Sequence, residues 1–147
     1  MKMKMTFLMI GLIFVAVSAN AGDSQRHQQV DGINIYLGVI PAQITQARHS
    51  EMHGGVDDKE HRYHILVALL DSNSGKRITD AKVKATVAQP GLSGETKTLE
   101  PMSGELLSYG NYFAMHRADN YQIRVEIQRG EGKEKSVARF VFDRPED

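Results

Sequence analysis

The sequence predicts an all-β fold, an antiparallel β-sandwich of about seven strands. Three observations predict it. Short segments with apolar residues at every second position recur along the chain. Turn residues separate them roughly every 8–12 positions. No amphipathic run is long enough for a major helix.

The elements follow in chain order. Met1 to Met5 is a short basic start, Thr6 to Val17 is almost wholly apolar, and Ser18-Ala19-Asn20-Ala21 ends the run with small residues. That order is the signature of a secretory signal peptide over 1–21, cut after Ala21. About twelve apolar residues are too few for a bilayer span, which needs roughly 20. The mature chain, Gly22 to Asp147, is therefore expected to be exported to the periplasm with no membrane insertion. Residues 22–32 are polar and read as a flexible N-terminus, and 33–147 as a single domain.

Ile33, Ile35, Leu37 and Val39 alternate with polar or small residues, which makes a strand with one buried face, ended by Pro41. Residues 46–60 (QARHSEMHGGVDDKE) are polar and read as an exposed loop. Tyr63 to Leu70 (YHILVALL) is apolar on both faces except at His64, so a central strand is expected. The turn over Asp71 to Gly75 leads to a strand with Val83, Ala85 and Val87 inward. Thr96 to Leu99 reads as a short edge strand. Leu106 to Met115 carries Gly110-Asn111, a weak hairpin signal. Tyr121, Ile123, Val125 and Ile127 give the clearest inward face, and Ala138, Phe140 and Phe142 the last.

Composition excludes several chemistries. The chain has no cysteine, so disulfides, thiolate metal sites, cysteine nucleophiles and a lipid-anchoring cysteine are all absent. Without Lys2 and Lys4 the mature net charge is about −2, which argues against nucleic acid or an anionic membrane as the main partner. There is no Gly-x-Ser-x-Gly elbow and no His-Glu-x-x-His, so no enzyme is expected. Asp57, Asp58 and Glu60 lack the spacing of an EF-hand loop.

From His64 to Asp143 the chain resembles small periplasmic immunoglobulin-like domains of the YtkA-like, FixH and CopC-type group. The segments carrying the resemblance are YHILVALLD, SGKRITDAKVKATV, YGNYFAMH and NYQIRVEI. Gly110-Asn111-Tyr112 and Tyr121 fill the Gly-x-Tyr and strand-opening positions of that group. The resemblance implies a bacterial periplasmic location and metal handling, with copper first among the metals. The mature N-terminus, Gly22-Asp23-Ser24, lacks the histidine of the CopC-type copper(II) pattern.

Histidine and methionine are the only soft or borderline ligands available. Met52-His53 and Met115-His116 are adjacent pairs, and His49, His61 and His64 lie near the first. The candidate metal set is Met52, His53, His61, His64, Met115 and His116. Neighbours on a regular strand point to opposite faces, so Met115 and His116 cannot both face one ion there. Each residue has a structural reading beside the functional one. His49, His53 and His61 can be solvated loop residues, His64 a hydrogen-bonded core histidine, and Met102 and Met115 gap fillers. The two functional readings are a periplasmic copper carrier or accessory protein, and a metal-free interaction module of an envelope complex.

Overall fold

A computed structural model describes residues 25–44, 61–103 and 107–146, and every regular element of note is a strand. The eight strands are β1 (His27–Val30), β2 (Ile33–Pro41), β3 (Arg62–Asp71), β4 (Lys82–Ala88), β5 (Glu95–Pro101), β6 (Tyr109–Ala114), β7 (Asn120–Gln128) and β8 (Lys135–Asp143). They pair antiparallel in the order β1-β2-β3-β6-β5-β4-β7-β8.

The two faces of the sandwich are one continuous sheet folded over, and β5 is the crease. Glu100 and Pro101 pair with Gly110 and Tyr109 of β6, whereas Glu95 to Leu99 pair with β4. Where β5 leaves β6, side chains replace the missing ladder. Asn111 Nδ2 donates to the Thr98 carbonyl at 2.8 Å, and Lys97 Nζ donates to the Tyr112 carbonyl at 2.7 Å. At the far edges the Gln28 carboxamide donates to the Arg139 carbonyl and accepts from its N–H. That amide imitates a peptide unit and draws β1 towards β8, so the sheet is nearly a closed barrel.

Alternation fills the space between the faces. Ile33, Ile35, Tyr63, Ile65, Val67, Leu69, Val83, Ala85, Leu99, Tyr109, Phe113, Ile123, Val125, Ile127, Ala138 and Phe140 form one buried cluster. The expected inward sets of the strands at 33–39, 83–87, 121–127 and 138–142 all enter it, Val39 only in part.

Two sequence expectations change, at residues 27–30 and at Gly110-Asn111. Residues 27–30, expected within a flexible N-terminus, form β1, because they pair with Ile33 to Tyr36 across a tight turn at Asp31-Gly32, both at positive φ. Residues 96–99 pair with β4 alone, as expected of an edge, and only Glu100 and Pro101 of the same strand reach β6. Gly110-Asn111 is no hairpin turn but the middle of β6, where its partners are Leu66 and Ile65.

Two tyrosines tie connections to the core. Tyr109 Oη accepts from the Ala81 N–H at 3.0 Å and donates to the Ile78 carbonyl at 3.2 Å. Burial pushes its phenol above the usual value of 10.0. Tyr121, at the start of β7, donates to the carbonyl of Arg117 at 3.1 Å. That is the geometry of a tyrosine corner in immunoglobulin-like sandwiches.

At the opposite end, Asp71 accepts from the Ser74 N–H at 2.9 Å, from the Ser74 hydroxyl at 2.9 Å and from the Asn73 N–H at 3.2 Å. These bonds, led by that from the Ser74 N–H, hold its carboxyl below 3.8.

Tyr109→Phe keeps the ring and leaves the Ala81 N–H and Ile78 carbonyl without the hydroxyl, so urea unfolding should show a loss of about 1–3 kcal/mol. Asp71 is depressed in the folded state, so its contribution is present above pH 3.8 and fades as pH falls through the lower folded value. Thermal melts of wild type and Asp71→Asn across pH 2–6 should therefore converge at the acid end; a gap that widens there would contradict the assignment.

Candidate functional site

The register of β3 against β6 decides where the chemistry-bearing residues go. Tyr63 pairs with Phe113 and Ile65 with Asn111, so the odd-numbered residues of β3 face the core. His64 pairs with Tyr112 and Leu66 with Gly110 on the opposite face of the same two strands. His64 nonetheless has only 1% of its surface exposed. Its ring stacks on Tyr112, with centroids 4.4 Å apart and planes 16° from parallel.

Gly110 is the floor of this site. A Cβ built on it would lie 2.6 Å from His64 Nε2, 2.8 Å from Met102 Sδ and 3.0 Å from Leu66 Cδ2. Real side chains do not approach so closely, so the imidazole nitrogen and the thioether sulfur both border space that only glycine leaves open. The sum of the first two distances bounds their separation. That bound spans the roughly 4 Å between a nitrogen and a sulfur that share one ion. Met102 follows β5 directly, and its N–H donates to the Ser108 carbonyl at 2.7 Å, which closes the loop leading into β6.

The sequence set Met102 aside as a gap filler. The signal for it was not local. It lies in the pairing of β5 and β6, which brings residue 102 beside Gly110.

The other candidates distribute as follows. Met52 and His53 lie outside the described residues, as does His49. Met115 is fully buried in the core cluster, while His116 is exposed, as strand alternation requires of neighbours. The Met115 N–H donates to the His61 carbonyl at 2.7 Å, which extends the β3–β6 ladder by one step and brings His61 beside His116. Their rings meet edge-on with centroids 5.9 Å apart. His61 is therefore near His116, but His64 faces a different set of neighbours.

The His61–His116 pair has an unfavourable polarity for metal. Arg144 Nη2 lies 2.8 Å from His61 Nδ1. A guanidinium only donates, so Nδ1 presents its lone pair to Arg144. A ligating histidine uses one ring nitrogen and donates from the other. His61 can adopt that state only after Arg144 withdraws. Arg144 is itself 3% exposed, with its guanidinium 5.7 Å from the centroid of the Tyr63 ring and Nη1 donating to the Pro145 carbonyl at 2.9 Å. Withdrawal would disturb a buried cation.

Beside His116 a groove of about 570 Å³ is lined by Gln89, Ser93, Glu95, Arg117 and Tyr121 among others. Among the described residues no three His, Cys, Asp or Glu side chains converge as a metal cluster. The pair that does converge includes a thioether. Among the same residues no helix is long and apolar enough to cross a membrane.

Gly110→Ala is the direct structural test of the cradle. The methyl group must displace a stacked, buried imidazole as well as a flexible thioether, at a cost of about 1–3 kcal/mol in unfolding free energy. The NMR resonances of the His64 ring and the Met102 methyl should shift together; movement of neither would show that the two groups do not meet there.

No family model and no curated protein matches this chain. Solved structures of similar fold do exist. A copper-bound variant of FetP from a uropathogenic Escherichia coli strain matches with a TM-score of 0.64 at 10% identity, covering 82% of this chain and 94% of that one. FetP from the same source, recombinantly expressed in the periplasm of E. coli, matches with a TM-score of 0.64 at 12% identity, covering 82% and 93%. A DUF4426 family protein from Pseudomonas aeruginosa matches with a TM-score of 0.64 at 17% identity, covering 84% and 97%. At these identities the likeness establishes a shared all-β fold.

Proposed function

We propose that this chain is a periplasmic metal-binding protein, a carrier or accessory protein for copper, with no catalytic role of its own. The observation that carries the reading is the approach of His64 Nε2 and Met102 Sδ over Gly110. Imidazole and thioether together suit copper better than magnesium, calcium or manganese, which favour oxygen ligands. Two further facts support it. A protein of the same fold is copper-bound. The first 21 residues have the order of a secretory signal, which would deliver the chain to the compartment where FetP was expressed.

His64 and Met102 hold the ion in this reading. His61 and His116 form a separate pair, while Met52 and His53, which lie outside the described residues, stay candidates for further ligands. Met115 contributes to the core. Two donors among the described residues leave coordination positions for further ligands, for water or for the receiving protein's groups, which suits a carrier that must let its cargo go.

Copper titration of the purified mature protein tests this by calorimetry. With titrations run under both oxidising and reducing conditions, His64→Ala and Met102→Ala should each weaken the tighter of the two copper affinities at least about tenfold, a loss of 1.4 kcal/mol or more. His116→Ala should leave it within about twofold. Wild type that binds no copper more tightly than the His64→Ala, Met102→Ala double variant would defeat the reading and favour the metal-free interaction module.

A further inference from the structure

We infer that the His64–Met102 pair discriminates between the oxidation states of copper and takes the monovalent ion. This rests on the metal-binding reading above and adds the chemical form of the cargo. Three observations carry it.

The first is donor softness. A thioether is a soft, neutral ligand that copper(I) accepts readily, whereas copper(II) prefers square-planar or tetragonal sets of nitrogen and oxygen. Among the described residues the converging donors are one nitrogen and one sulfur, too few for a tetragonal plane.

The second is charge. Both donors are neutral, and His64 is almost fully enclosed, with the Tyr112 ring stacked against it. The cost of placing an ion in a poorly solvated site grows with the square of its charge, so a divalent ion is penalised about four times as heavily as a monovalent one. The nearby ammonium of Lys97 gives no relief. It is held by the Tyr112 carbonyl at 2.7 Å and by Glu95 at 2.9 Å. Among the described residues, the carboxylate that the register sets opposite Gly110 is Glu100 of β5, and its side chain is exposed to water.

The third is adaptability. Copper(I) has a filled d shell and imposes little geometric preference. Met102 has three rotatable bonds, so its sulfur can close on an ion held by the fixed imidazole.

Separate titrations of the mature protein resolve the question. Copper(I) is added anaerobically in competition with bathocuproine disulfonate, copper(II) is added in air in competition with glycine, and silver(I) serves as a redox-inert monovalent probe. Copper(I) should bind at least about a hundredfold more tightly than copper(II). Silver(I) should perturb the His64 and Met102 NMR signals. Met102→Leu, which preserves packing, should weaken copper(I) at least about tenfold and leave copper(II) unchanged.

Equal or tighter binding of copper(II), or copper(II) binding lost in Glu100→Gln, would overturn the selectivity while leaving the metal-binding reading in place. Absence of binding by all three ions would overturn both. If Met102→Leu proved unstable, Met102→selenomethionine would serve instead, with copper(I) binding expected to be retained or strengthened and selenium seen in the copper coordination shell by X-ray absorption.

Discussion

The two-residue repeat of β3, locked in register with β6, is the constraint on which the rest of the structure depends. Tyr63, Ile65, Val67 and Leu69 supply one wall of the core because His64 and Leu66 point the other way. A slip of one residue would put an imidazole into the hydrophobic cluster and expose the aliphatic row, so burial holds the register strongly. The same pairing puts Gly110 opposite Leu66 and one step from His64. Core formation and the placement of the candidate site are thus one event.

A cysteine-free domain has to stabilise itself by burial and by satisfying its backbone. This chain does so with side chains that act as peptide surrogates. Gln28 spans the gap between β1 and β8, Asn111 and Lys97 bridge the crease where β5 changes partners, and Tyr109 and Tyr121 anchor connections to the core. Each satisfies a backbone group that the strand ladder leaves open. The bent sheet therefore draws its two ends together without a disulfide.

The candidate site and the histidine pair at the end of β3 and β6 illustrate how surroundings separate similar residues. His64 is fixed by a ring stack and meets a sulfur. His61 accepts from a buried arginine, which commits the nitrogen that a metal ligand would use for support. Residue type alone made the two equally eligible. Their neighbours, brought from β5, β6 and the end of β8, distinguish them.

Much of the fold was legible in local patterns. Alternation at 33–37, 83–87, 121–127 and 138–142 predicted the inward faces because a period of two leaves one side of a strand against the core whatever its partner. The strand character of 63–70 followed from its β-formers. What sequence could not supply was pairing. Gly110-Asn111 reads as a turn until Leu66 and Ile65 are set opposite, and Met102 reads as filler until the crease in β5 brings it over Gly110. Each of these depends on contacts between residues far apart in the chain, and composition and periodicity describe only neighbours. The sequence by itself determined that alternating strands would enclose an apolar core; the tertiary structure alone decided which imidazole meets a thioether, because that meeting is made by strand order and by the space a missing Cβ leaves.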